Sequence, residues 1–206
     1  MSETWLTEFQ ERALDGERRV AIDIGANRGE WTRWMADWFD FVLAVEPDPR
    51  AFATLQANVP ENVHCLNVAA SDRHGVADFH LRPDPLQSSL LVDHPIGAGD
   101  QADAPVAETI GITTLPLDFL RFICGDRGGS TAIDFVKIDV EGAEALVLAG
   151  ATPEWFRSTK FLIEVHDKAE EVGKQLRRLC RDDIRIMKHP EPTAHPQHFW
   201  IFSEGT

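Results

Sequence analysis

The chain has 206 residues, 43% of them hydrophobic, which is enough to bury one sizeable core, so we expect a single domain over residues 1–206. Its formal net charge of −14 disfavours nucleic acids and anionic membranes as partners, because both reward clustered lysine and arginine. The sequence shows no membrane-length apolar stretch, no secretory signal pattern and no paired cysteine spacing, so we expect a cytoplasmic protein with reduced thiols.

Short apolar runs alternate with helical patterns along most of the chain. An N-terminal helix is expected over residues 1–18, and runs of strand length follow at residues 20–25, 41–46, 63–69, 133–140 and 160–166. Helical spacing of apolar residues separates them over residues 30–39, 49–59 and 142–150. Since strands that alternate with helices form parallel sheets, the pattern predicts an α/β fold.

The first predicted strand runs into the glycine turn GANRG and then into a helix. Gly25 and Gly29 allow a ligand to approach the backbone, Asn27 tolerates a left-handed conformation, and a helix N-terminus favours an anionic group. The same glycines also suit a plain connection between a strand and a helix. The turn by itself therefore indicates a ligand site only weakly.

Glu46 ends the second predicted strand, 23 residues after Asp23. An acidic residue at this place holds the ribose of a nucleoside cofactor in doubly wound folds. The alternative is an acid that caps the helix beyond Pro47. A nicotinamide cofactor is the weaker expectation, because the G-x-G-x-x-G fingerprint is absent and the chain contains no tyrosine for dehydrogenases that need one.

Residues 82–105 are rich in proline and glycine, with few periodic apolar positions. The composition predicts a long loop, which we interpret as a lid or a substrate-facing insertion; the alternative is a surface excursion without function. Beyond it, an amphipathic helix follows the fifth apolar run, and a strand pair is expected over residues 184–204.

The segment DFVKIDVEGAE carries charge inside an apolar run. Lys137 and Asp139 share one face of the predicted strand, and a buried charge costs several kcal/mol unless it is paired or used. We therefore expect chemistry where this strand ends.

A second charged strand end, in FLIEVH, places Glu164 and His166 on one face. Neighbouring parallel strands would bring these two side chains to a common edge with Asp139 and Glu141, where ligands of such sheets bind. The alternative is a structural ion-pair network among Lys137, Glu164 and Asp139. Asp139, Glu164 and His166 also suit Mg²⁺, Mn²⁺ or Fe²⁺, although their spacing does not require a metal.

Five motifs together resemble the FkbM family of S-adenosylmethionine-dependent methyltransferases: DIGANRGEWT, AVEPDP, NVAASDRHG, DFVKIDVEGAEALVLAGA and FLIEVH. The resemblance spans about residues 20–166. It implies a Rossmann-like class I methyltransferase fold, whose mostly parallel sheet has seven strands, a C-terminal antiparallel strand and helices on both faces. It also implies methyl transfer to a hydroxyl of a small molecule, natural product or sugar.

The resemblance also implies residue roles along the cofactor. The methionine end is expected at Asp23, Gly25, Asn27 and Gly29, the ribose at Glu46, and the adenine near Asn67, Ser71 and Asp72. Asp139 then lies close to the reactive methyl group, and Ser88 and Ser89 belong to a serine-containing element expected to bind the acceptor.

For catalysis, we expect His166 or Glu164 to act as the base, with Lys137 orienting the reactants or stabilising an anion. A nucleoside-binding protein without transfer activity is the rival from another class. No motif indicates the acceptor or the oligomeric state.

Overall fold

A computed structural model of the chain describes residues 14–92, 105–166, 168–180, 184–188 and 197–203. Most of the predicted N-terminal helix lies outside these residues, and residues 14–18 are not helical. Residues 93–104 of the predicted loop also lie outside them.

A seven-stranded sheet forms the centre of the molecule, in the order β3-β2-β1-β7-β8-β10-β9. Its strands are β1 (Val20–Ile24), β2 (Phe41–Val45), β3 (Val63–Leu66), β7 (Phe135–Ile138), β8 (Lys160–Val165), β9 (Ile184–Lys188) and β10 (Gln197–Ser203). Only β10 runs antiparallel to its neighbours, β8 and β9; the other pairs are parallel. This arrangement confirms the predicted α/β class with a mainly parallel sheet.

A second sheet of three strands was not predicted, so the molecule has more strands than the sequence indicated. It consists of β4 (Ala69–Ala70), β5 (Gly75–Leu81) and β6 (Glu108–Leu115), in the order β4-β6-β5. Both long strands alternate between exposed and buried residues. They therefore lack the continuous apolar runs that identify the strands of the main sheet.

Helices cover both faces of the main sheet. They are α1 (Glu30–Ala36), α2 (Pro49–Asn58), α3 (Leu117–Gly128), α4 (Glu144–Ala149) and α5 (Ala169–Leu179). Because strand side chains alternate, Val42 and Ala44 of β2 lie in clusters with α1 and α2. Leu43 and Val45 face the larger cluster built from α3, α4 and α5. No helix of the described residues is long and apolar enough to cross a membrane.

Candidate active site and cofactor cleft

A cleft opens at the carboxyl ends of β1, β2 and β7, where parallel sheets bind ligands. Its non-atom space of about 580 Å³ includes open solvent at the mouth. Polar residues line one part of it, namely Asn27, Glu46, Ser88, Asp139 and Glu141. Apolar residues line another part, namely Ala69, Ala70, Phe79, Leu86 and Leu90.

The glycine turn after β1 has a left-handed backbone at Gly25, Asn27 and Gly29. A Cβ on Gly25 would lie 1.7 Å from the carbonyl oxygen of Asp139, so this glycine allows the turn to pack against the end of β7. A Cβ on Gly29 would lie 2.7 Å from Leu55 of α2. The backbone contact requires a glycine at position 25, whereas Gly29 is favoured by its positive φ, and Gly25 and Asn27 also line the cleft.

Glu46 is 5% exposed and follows β2 directly, on the wall of the cleft. Its Oε2 accepts from the backbone N–H of Asn27 at 2.8 Å, and its Oε1 accepts from that of Asp48 at 2.7 Å. Burial raises the pKa of Glu46 to about 7, although the two backbone N–H groups oppose the rise.

The helix-cap alternative for Glu46 is wrong, because Asp48 is the residue that caps α2. The Asp48 side chain accepts from the backbone N–H of Arg50 at 2.9 Å. Glu46 instead connects the turn after β1 to the start of α2, with one oxygen on each.

Asn67, Ser71 and Asp72 lie beside the cleft and are not among its lining residues. Asn67 donates from Nδ2 to the carbonyl oxygens of Glu46 at 2.8 Å and Pro47 at 3.0 Å. The buried Ser71 donates to Asp72 at 3.2 Å. Asn67 therefore holds the segment that carries Glu46, whereas Ala69 and Ala70 form the nearby cleft wall.

Asp23 and Lys137 form a buried pair on the neighbouring strands β1 and β7. Lys137 Nζ donates to Asp139 Oδ2 at 2.9 Å and lies 3.8 Å from Asp23 Oδ1, while Thr32 donates to Asp23 Oδ2 at 2.6 Å. Burial raises the pKa of Asp23. Burial lowers the pKa of Lys137, but the charges of Asp139 and Asp23 outweigh it and raise the pKa overall. The lysine is therefore cationic and is held against the carboxylate of Asp139.

Four carboxylates surround His166, which follows β8. Its Nε2 lies 3.6 Å from Asp139 Oδ1, 3.4 Å from Glu141 Oε1 and 3.8 Å from Glu164 Oε1. On the other side of the ring, Nδ1 lies 2.9 Å from Glu144 Oε1. Burial lowers the pKa of His166, but the bond to Glu144 and the charges of Glu141 and Asp139 outweigh it and raise the pKa to about 9. The structure thus brings the predicted acidic edge together.

Glu144, the fully buried fourth carboxylate, was missed by the sequence analysis. Its Oε1 also accepts from the backbone N–H of Gly142 at 2.9 Å. An acid in the first turn of a helix is ordinarily explained by the helix dipole. In the sequence, the only sign that Glu144 belongs to the site was its position three residues after Glu141, within the charged segment.

The hydroxyl groups of Ser88 and Ser89 connect the start of α2 to the turn after β7. Ser88 lines the cleft and donates to Asp48 Oδ2 at 3.0 Å. Ser89 donates to the carbonyl oxygen of Glu141 at 2.7 Å, and Glu141 has a left-handed backbone at φ +50°. A left-handed glutamate is strained, so this bond helps to hold the turn after β7.

The chain is similar in sequence and fold to known proteins. Residues 23–191 match the family model described as the methyltransferase FkbM domain. The chain is 28% identical over 200 residues to the 31-O-demethyl-FK506 methyltransferase FkbM of Streptomyces tacrolimicus, covering 84% of this chain and 75% of that protein. It is 31% identical over 173 residues to the 2-O-methyltransferase NoeI of Sinorhizobium fredii, covering 76% of this chain and 67% of that protein.

The fold also matches the crystal structure of methyltransferase FkbM from Methylobacillus flagellatus, with a TM-score of 0.57 and 19% identity. The match covers 90% of this chain but only 44% of that crystallised chain.

Proposed function

Because the chain belongs to the FkbM family of S-adenosylmethionine-dependent methyltransferases, we propose that it methylates a hydroxyl oxygen of a small molecule, natural product or sugar. Both curated relatives carry oxygen methylation in their names, one at a 31-O position and one at a 2-O position. Family membership also favours S-adenosylmethionine over the nicotinamide cofactor that the sequence left as an alternative.

One observation carries the proposal: Glu46 and Asp139 line the same cleft at the carboxyl edge of the sheet. A carboxylate oxygen that accepts one N–H still has a lone pair for a second donor. Both oxygens of Glu46 are in this state, so they suit the two hydroxyls of a ribose. Gly25 and Asn27 then border the methionine end, and the apolar wall at Ala69 and Phe79 suits the adenine.

The acidic edge around His166 is the place we assign to the transferred methyl group. A sulfonium is cationic, so the carboxylates of Asp139 and Glu141 favour it electrostatically. A lone pair of the acceptor oxygen attacks the methyl carbon, and the carbon–sulfur bond breaks with its electron pair returning to sulfur. The acceptor proton passes to Glu164, because His166, with a pKa of about 9, already carries its proton at neutral pH, and S-adenosylhomocysteine leaves as a neutral thioether.

Binding of S-adenosylhomocysteine, measured by calorimetry, tests the cofactor assignment. We expect wild type to bind and Glu46→Ala to bind at least tenfold more weakly, because two ribose hydrogen bonds are lost. Glu61→Ala, the same change at an exposed position, is the control and should leave the affinity unchanged. Wild-type protein that binds no S-adenosylhomocysteine would refute the proposal.

Transfer itself is tested with S-adenosylmethionine labelled in the methyl group and a panel of hydroxylated acceptors. Asp139→Ala and His166→Ala should lose turnover on an accepted substrate while they remain folded. If both retained full activity, the catalytic edge would be wrongly assigned. Binding without transfer to any acceptor would favour the rival, a nucleoside-binding protein without catalysis.

A further inference from the structure

Three side chains at the acidic edge stand close enough to share one ion. One donor atom from each of Asp139, Glu164 and His166 lies within 4.8 Å of the others. The individual distances from His166 Nε2 are 3.6 Å to Asp139 and 3.8 Å to Glu164, and the Oε1 of Glu141 lies 3.4 Å away.

These separations fit coordination of a small divalent cation. Bonds of about 2.0–2.2 Å to oxygen and nitrogen place neighbouring donor atoms roughly 3.0–3.6 Å apart and opposite ones about 4.2 Å apart. The distances of 3.6 and 3.8 Å from His166 Nε2 to Asp139 and Glu164 lie close to the neighbouring spacing, and the two carboxylate oxygens lie within 4.8 Å of each other.

Both inner donors are oriented from behind by buried partners. Asp139 directs Oδ1 to His166, while its Oδ2 accepts from Lys137 Nζ at 2.9 Å. His166 directs Nε2 to the cluster, while its Nδ1 bonds Glu144 at 2.9 Å. A carboxylate behind the far nitrogen of a histidine fixes the tautomer that presents the other nitrogen to a metal.

The four carboxylates around His166 also outnumber the two basic groups that pair with them, Lys137 and His166 itself. Glu144 is fully buried, one oxygen bonds His166, and the second oxygen, Oε2, has no hydrogen-bond partner among the described residues. A buried carboxylate oxygen without a donor is costly, and three further carboxylates surround the same imidazole ring. The cluster is therefore more than an exposed acidic patch.

We propose that Asp139, Glu164 and His166 bind a divalent cation, with Glu141 at its border and Glu144 as the residue that positions His166. Carboxylate oxygens with one imidazole suit Mn²⁺ well, since they combine hard donors with a borderline one. The role rests on the proposed methyl transfer: a cation here would bind the acceptor hydroxyl and ease loss of its proton, and Glu141, which is not a ligand, would take that proton in place of Glu164.

The test uses Mn²⁺ alone with the full chain, freed of metal beforehand and without cofactor or acceptor. Calorimetry should show one Mn²⁺ per chain, and pulsed electron paramagnetic resonance should show nitrogen coupling from one imidazole. The second measurement needs no variant. If wild type bound no Mn²⁺, or bound it without nitrogen coupling, the proposal would be overturned.

Two Glu→Gln variants separate the site from general acidity. Glu144→Gln should weaken Mn²⁺ binding about 10–100-fold, since it removes the carboxylate behind His166. Glu61→Gln removes one exposed carboxylate and should leave Mn²⁺ affinity unchanged. Equal affinities in both variants, with Glu144→Gln folded by circular dichroism, would overturn the role of Glu144.

Failure of this inference is distinguishable from failure of the proposed function. Chelated protein that binds S-adenosylhomocysteine and transfers methyl at the full rate would refute the metal role and leave the methyltransferase standing. Protein that binds Mn²⁺ at His166 but does not bind S-adenosylhomocysteine would refute the methyltransferase proposal and leave the metal site standing.

Discussion

The titration of Glu46 predicts that S-adenosylhomocysteine binds more tightly as the pH rises from 6 to 8. Burial holds the pKa of this carboxyl at about 7 in the ligand-free protein. Ribose hydroxyls donate to the ionised form, so the protonated fraction has to lose its proton before it can accept both. Glu46→Gln, which cannot titrate, is the perturbation.

The structure gives the magnitude. With a pKa of about 7, Glu46 is ionised in roughly one molecule in eleven at pH 6 and ten in eleven at pH 8. If only the ionised form binds well, affinity rises about tenfold, or about 1.4 kcal/mol. The neighbouring Asp48 does not titrate in this window, because hydrogen bonds from Arg50 overcome the effect of burial and lower its pKa.

Stability without ligand should change in the opposite direction. The pKa of Glu46 is raised from an ordinary value of 4.5, so between 4.5 and about 7 the folded state retains a proton that the unfolded state has released. Stability due to Glu46 is therefore full below pH 4.5 and falls by about 3 kcal/mol as the pH rises through 7. Opposite slopes for folding and binding cannot arise from a general loss of structure.

Calorimetry with S-adenosylhomocysteine at pH 6, 7 and 8 measures how the binding affinity changes with pH. Thermal unfolding of the ligand-free protein at the same pH values measures how its stability changes. Any titration of the ligand affects both proteins equally. The difference in pH dependence between wild type and Glu46→Gln therefore reports the titration of Glu46 alone. Gln can accept only one of the two backbone N–H groups, so its affinity should also be lower at pH 8. The reasoning is refuted if wild type binds equally at all three pH values, or if Glu46→Gln keeps the slope.

Two predictions concern stability. Gly25→Ala should lower the free energy of unfolding, measured by chemical denaturation, by about 3 kcal/mol or more, because the new Cβ would lie 1.7 Å from the Asp139 carbonyl oxygen. Gly129 also has a positive φ but lies in open space, so Gly129→Ala should lower it by only about 1–2 kcal/mol. Equal losses in the two variants would contradict the packing argument. Trp155→Phe should cost about 2 kcal/mol, because the buried indole donates to Asp118 at 2.7 Å; an unchanged denaturation midpoint would contradict this.

Strands β1, β2, β7 and β8 of the main sheet were predictable because they are buried on both faces and read as continuous apolar runs. The strands β5 and β6 were not, since each exposes one face and their pairing joins segments separated by the residue 82–105 stretch. Local periodicity carries no information on such a pairing.

The site also contains residues whose positions were predictable from the sequence and residues whose positions were not. Glu164 lies at the end of β8, and Glu46, Asp139 and His166 directly follow strands, so the rule that parallel strands end at one edge brings them together. Glu144 and the two serines act through contacts that span 22 to 52 residues. Which atoms meet across such distances depends on the folded geometry, and no spacing in the sequence encodes it.

The contact between Gly25 and Asp139 has a mechanical consequence. The backbone N–H of Asp139 donates to the carbonyl of Ile24 at 2.9 Å, and the absent Cβ of Gly25 leaves no gap between the two turns. The turn after β1 and the turn after β7 are therefore joined backbone to backbone, with no side chain between them. In the function we propose, these backbone contacts would set the distance between the methyl donor and the acidic edge, so the loops around the mouth could diversify toward new acceptors without changing it.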